Sequence, residues 1–302
     1  MRVLLAISLI FCVLGLNAQQ NPLQNQYLFD LVYVNAAYTG HDKHLAASAL
    51  LRKQWVGFTG APEQFNVAVH SPLKNDNIGL GIQAGYERIG PRTVTNIAAL
   101  FAYRIKLRGN SRLHFGVRAA ALNNQFNWDK IEYRDEQDVI RNQASESVLL
   151  PNFDFGVMAT GTQYFVGFEM ANLTQSKLRD IEESDARQFI HARLTGGWVA
   201  KISDKVSLKP NTLIRYAVNS PVQIDLNLNA LLAERLWIGA GYRFNYGLLA
   251  MMQFRITKSF DLGYSYDFAL NPMKTHHTGS HEVFLSYRFN VFKSNLSSPR
   301  YF

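Results

Sequence analysis

One pattern runs along nearly the whole chain: apolar and polar residues alternate with a period of two. Over 222–232, Val222, Ile224, Leu226, Leu228, Ala230 and Leu232 fall on one face, and Gln223, Asp225, Asn227 and Asn229 on the other. Over 260–268, Phe260, Leu262, Tyr264, Tyr266 and Phe268 alternate with Asp261, Gly263, Ser265 and Asp267. Such alternation marks strands with two unlike faces. Similar stretches lie at 44–55, 63–71, 78–86, 92–107, 111–123, 152–161, 163–171, 188–202, 206–218, 235–244, 246–256 and 283–290. The pattern predicts about fourteen strands, most of them long enough for the roughly 9–11 tilted residues that cross a bilayer.

A soluble sandwich would show the same alternation, so the connections decide. They are short and sequential, as in an up-and-down meander, and a meander this wide must close or leave two bare edges. The long gaps, 56–62, 124–151, 172–187 and 269–280, all have odd positions in the order of connections; the even ones, such as 108–110, 203–205 and 257–259, are short. Outer-membrane barrels have short periplasmic turns and long external loops. The fold class expected is therefore all-β: a transmembrane antiparallel up-and-down β-barrel with both termini periplasmic. Tyr86, Tyr103, Tyr164, Trp198, Tyr216, Tyr246, Tyr266 and Tyr287 sit towards strand ends on the apolar face, as an interfacial girdle would. An arginine facing lipid at mid-bilayer costs roughly 2–4 kcal/mol, and Arg104, Arg118, Arg215, Arg243, Arg255 and Arg288 all keep to the polar phase. Trp237 also falls on the polar phase, and needs a bulge or a place at the periplasmic rim.

Composition sharpens this picture in two places. Apolar residues make up 47% of the 302, yet mean hydropathy is only -0.11, so they are spread rather than gathered into helical spans. The one apolar run, 3–16, follows Arg2 and precedes Ala18, which predicts a secretory signal over 1–18 with Gln19 as the new N-terminus. The single cysteine, Cys12, lies inside that run. Disulfides, thiol catalysis and cysteine-ligated metals are thus not expected in the mature chain. The net charge of +8 comes from singly scattered Lys and Arg, with no basic run suited to nucleic acid.

The polar phase predicts a charged lumen. Arg104, Arg118, Arg215, Arg243, Arg255 and Arg288 would share it with Asp154, Glu169, Asp225 and Asp267, and opposite charges confined there should pair. Arg52, Arg193, Lys209, Glu87, Asp261 and Glu282 fall on the same phase. Gly79, Gly81, Gly85, Gly239 and Gly241 are expected to leave room inside. Among eight histidines no Ser/His pair is assignable, and no metal-ligand spacing appears. No catalytic, cofactor or metal site is expected.

The most specific segment comes first. Asn35-Ala36-Ala37-Tyr38-Thr39-Gly40 is followed by Arg52-Lys53-Gln54-Trp55-Val56-Gly57 and then Gly60-Ala61-Pro62. These runs resemble the PorP/SprF family of Bacteroidota outer-membrane proteins, in which Asn-Pro-Ala-Tyr-x-Gly precedes Arg-x-Gln-Trp-x-Gly and Gly-Ala-Pro. This chain has Ala36 where that family usually has proline. The resemblance implies a type IX secretion role: helping to export a large secreted surface protein, such as an adhesin with a type-B C-terminal sorting domain, or holding it on the surface. Some members are linked to gliding motility. It also implies further partners among type IX components or periplasmic lipoproteins. Arg52, Gln54, Trp55, Gly57, Ala61 and Pro62 would shape the mouth or touch the partner. Asn35, Tyr38 and Gly40 would sit at the periplasmic rim or fold into the lumen. Residues 19–43 would then be a periplasmic segment that partly plugs the pore, and 44–302 the barrel. The competing expectation is a passive porin or small-solute transporter with an open lumen.

Overall fold

The computed structural model describes residues 24–42, 44–73, 76–131, 145–178, 187–218 and 220–289. The predicted signal and its cysteine lie outside them. The strands are β1 (Leu45–Lys53), β2 (Glu63–Pro72), β3 (Ile78–Ile89), β4 (Arg92–Lys106), β5 (Arg112–Phe126), β6 (Glu146–Thr160), β7 (Tyr164–Ala171) and β8 (His191–Trp198) with its continuation β9 (Ala200–Lys201). They continue as β10 (Val206–Ala217), β11 (Gln223–Leu232), β12 (Leu236–Arg243), β13 (Gly247–Arg255), β14 (Phe260–Ala269) and β15 (Ser280–Phe289). Each pairs antiparallel with the next, and β1 closes on β15 from Leu45 opposite Phe289 to Lys53 opposite His281.

β8 and β9 are one stave. Asn211 faces Gly197 and Leu208 faces Ala200, so the register carries straight across the break. Pro210 lies at the interruption, and its missing N–H removes a rung of the ladder. The closed barrel thus has fourteen antiparallel staves, as the alternation predicts.

The apolar phase faces outward. Ile82, Ile97, Val166, Leu228 and Trp198 are all more than half exposed, a belt that only lipid would cover. Tyr86, Tyr103, Tyr164, Tyr216 and Tyr287 are outward and exposed near strand ends. Tyr246 departs from the expected girdle: it lies in the turn between β12 and β13, is 8% exposed, and pairs its hydroxyl with Ser280 at 3.2 Å.

The long loop expected at 124–151 is shorter than the alternation suggests. β5 runs on to Phe126 and β6 begins at Glu146, with Asn123 opposite Leu149. Alternation fades there because this half of β6 has no β7 partner; β7 joins only from Phe155 onward. Pro151 is tolerated on that free edge, and its carbonyl accepts from Thr174 and Ser176.

Candidate functional site

Residues 24–42 run through the barrel. Gln24 lines a cavity at the long-loop end, beside Glu87, Ile89 and Arg92; after Asp42 the chain reaches β1 at the short-turn end. Three short 3-10 turns, Gln26–Phe29, Leu31–Tyr33 and Ala36–Tyr38, shape the segment. Asp30 and Asn35 cap the second and third by accepting from Val32 and Ala37.

A segment with so little regular structure leaves its backbone groups needing partners, and the barrel wall supplies them. The Asn25 and Gln26 amides donate to Glu282 at 3.0 and 2.6 Å. The Ala36 amide donates to Glu169 at 2.9 Å and the Gly40 amide to His70 Nδ1 at 3.0 Å. In the other direction, Arg118 donates to the Val32 carbonyl at 2.6 Å, Lys209 to Leu28 at 3.0 Å and Arg104 to Thr39 at 3.2 Å. Asn35 donates to the Val157 and Phe168 carbonyls. Asp30 accepts from Ser48 at 2.5 Å, so the Tyr33 hydroxyl, 3.0 Å from Ser48, is the donor to it.

Between these anchors lies a small apolar core inside the lumen. Tyr27, Leu28, Leu31, Val32 and Tyr38 pack with the inward side chains Leu50, Leu100, Met158, Phe165, Leu213 and Phe284. Trp237 finds its place here without a bulge. It is 4% exposed, its ring is 6.2 Å from that of Phe29, and the Lys209 ammonium lies over it at 5.2 Å.

Of the expected glycines, Gly79 makes the room foreseen. A Cβ on Gly79 would strike the Thr39 carbonyl, while at Gly239 and Gly241 it would strike Asn229 and Asn227. The glycines that admit the segment are mainly others. Gly116 sits against Ala36 and Ala37, Gly156 and Gly167 against Asn35, and Gly263 against Gln26, all closer than a Cβ tolerates. Gly116 and Gly156 face each other across β5 and β6. Replacing Gly116 by Val is therefore expected to displace the third turn, and protease protection of residues 24–42 should fall. Unchanged protection would show that the wall can yield there.

Charged groups line the wall in three clusters. Arg52 meets Asp267 at 2.5 Å and Glu282 at 3.1 Å; Arg243 links Asp267 to Asp225, and Arg215 meets Asp225 at 2.7 Å. Arg118 pairs with Asp154 at 2.6 Å and with Glu169, which also takes Arg193 at 2.7 Å. Nearer the short turns, Arg255 and Arg288 share Asp261 at 3.2 and 2.6 Å. Arg104 stands apart from the expected network, with no carboxylate partner among the described residues; it serves the Thr39 carbonyl instead. Asn25, Asp30 and Ser48 join the site although nothing in the alternation singles them out, and Glu282, expected on the polar phase, also holds the segment.

The mouth motif divides. Arg52, Gln54 and Pro62 are buried, and the Gln54 amide donates to the Pro62 carbonyl at 2.9 Å, closing the base of the β1–β2 loop. Trp55, Gly57 and Ala61 line an open pocket above it. Asn35, Tyr38 and Gly40 all lie in the lumen. Gly40 has φ +64 and packs against Ser71 and Pro72, where a side chain has neither the backbone conformation nor the space.

No curated protein matches the chain. Among solved structures it is similar to a Pseudomonas aeruginosa FadL homologue (11% identity, 86% of this chain and 94% of that one, TM-score 0.49). It is also similar to the Ralstonia pickettii toluene transporter TbuX (9% identity, 85% and 92%, TM-score 0.49). A third is the Acinetobacter baumannii outer membrane protein Omp33 (10% identity, 83% and 100%, TM-score 0.46). Likeness this remote says nothing of what the lumen or the mouth engages. Residues 16–287 match the family described as type IX secretion system membrane protein PorP/SprF, nearly the whole of the barrel and the segment inside it. This outer-membrane β-barrel belongs to the PorP/SprF family of type IX secretion system membrane proteins.

Proposed function

We propose that the protein is a non-enzymatic barrel that helps export a secreted surface protein, or anchors it, and works through its long-loop face rather than through an open pore. The observation that carries this reading is the occupied lumen. Residues 24–42 fill it, with Tyr27, Leu28, Leu31, Val32 and Tyr38 each 1% exposed or less. A solute path would have to displace them, which weighs against the passive porin. In this reading the segment is a resident plug, the short turns and both chain termini face the periplasm, and the long loops face outward. The partner is a large secreted protein engaged through its C-terminal domain at the mouth formed around Trp55, Gly57 and Ala61. Other type IX components, periplasmic lipoproteins among them, would meet the short turns.

Deleting the gene tests this. A particular protein should vanish from the cell surface, retained inside or released into the medium, and restoring the gene should return it. An unaltered surface proteome would refute the anchoring and export role.

A further inference from the structure

We propose that the pocket enclosed by the β1–β2 loop is a seat for an extended segment of the secreted polypeptide, holding an apolar side chain against Phe58 and a carboxylate beside Lys53 and Arg88. The inference rests on the export or anchoring role and names where and how the partner is gripped.

The pocket has a volume of about 420 Å³, and its wall includes Lys53, Trp55, Phe58, Ala61, Glu63 and Arg88. It is held open by three connections stitched together. The Gly90 amide donates to Gly60, the Val56 amide to Gly279, and the Thr278 amide back to Val56, each at 2.9 Å. Gly57 and Gly90 have φ +97 and +54, so the glycines supply the pocket's turns.

Two local costs go unrelieved here. Trp55 has φ +45, a conformation that disfavours a bulky side chain by about 1–2 kcal/mol. Its indole N–H is buried without an acceptor among the described residues. Backbone strain of this kind concentrates where a loop is shaped for a ligand rather than for stability. Stability alone would be served by relaxing both.

The lining points to the ligand. Phe58, in the β1–β2 loop, is 44% exposed and presents an aromatic surface on the pocket wall. Lys53 and Arg88 both reach the same carboxylate, Glu63, at 3.2 and 2.8 Å, so among the described residues of the pocket wall two cations share one anion. An apolar surface beside excess positive charge suits a polypeptide stretch carrying an apolar residue next to Asp, Glu or a terminal carboxylate. The partner of a secretion-system membrane protein is itself a polypeptide, which makes this occupant the economical one.

The test uses the intact protein in its own cells and follows the surface protein lost on gene deletion. Phe58→Ser and the double variant Lys53→Glu/Arg88→Glu alter exposed side chains only, and correct assembly is checked by the heat-modifiable gel shift of the barrel. Removing a central anchor is expected to lower the surface-retained fraction by about tenfold, with Phe58→Leu restoring most of it. Full retention in both variants, while deletion still releases the protein, overturns the pocket and leaves the anchoring role standing. Loss of co-purifying lipopolysaccharide with the surface protein retained would identify a sugar phosphate as the occupant and also overturn it. An unchanged surface after deletion removes the partner and the proposal together.

Discussion

Excising residues 24–42 should turn an electrically silent barrel into a conducting one. Fully burying a Leu, Val or aromatic side chain is worth about 1.5–3 kcal/mol, and the segment buries at least Tyr27, Leu28, Leu31, Val32 and Tyr38 in the lumen. Against thermal energy of roughly 0.6 kcal/mol that is a large holding term, before the hydrogen bonds to Glu282, Glu169, His70, Arg118 and Lys209 are considered. Spontaneous opening of the intact protein should therefore be rare in planar bilayers. Removal exposes a lumen whose cations and carboxylates stay largely paired, so the channel should pass both ions with little selectivity. Point variants guard against a truncated chain that fails to assemble: Gly116→Val and Gly156→Val push on the segment without removing it and should give flickering, partial conductance. Steady large steps from the unaltered protein would sink the idea that its lumen is closed. Silence from an assembled, excised barrel would show that something else occludes the pore.

The barrel was readable because its physics repeats. A period of two survives along the strands, fading only in the first half of β6, and lipid enforces it on the outer face more strictly than a soluble core would. The interior was readable only in part. Leu50, Leu100, Met158, Leu213 and Phe284 break the polar phase, and all of them belong to the apolar cluster formed with the segment inside. With an empty lumen in mind they look like noise. Gly116 and Gly156 carry the same message, but only once the register sets them opposite each other. Residues 24–42 offer no periodicity, because their shape is dictated by the wall rather than by their own backbone preferences. Trp237 was the clearest clue. An indole on the polar phase has to meet something, and what it meets is Phe29 and Lys209. Tyr246 misled because a turn residue follows no strand parity.

Arg52 and Lys53 are neighbours in sequence, and the pleat sends them to opposite fates. Arg52 is 1% exposed and spans Asp267 and Glu282, and through them touches both the Arg243 cluster and the amides of Asn25 and Gln26. Arg52→Ala leaves two buried carboxylates short of their cation, a defect expected to cost about 3–5 kcal/mol. Arg52→Lys keeps the charge but has no planar fork to serve both acids, so its loss should be smaller yet measurable. Lys53 makes an exposed bridge to Glu63, its side chain 59% accessible, and Lys53→Ala should cost at most about 1 kcal/mol because water screens the pair. Urea unfolding in detergent, read from the heat-modifiable band, orders the three variants directly. The Arg52→Ala barrel should also lose protection at Asn25 and Gln26 first, since Glu282 then holds their amides without a cation behind it. Equal stability of Arg52→Ala and Lys53→Ala would mean that water reaches the cluster. The closed, ion-paired lumen on which the outward-facing role depends would then not exist in solution.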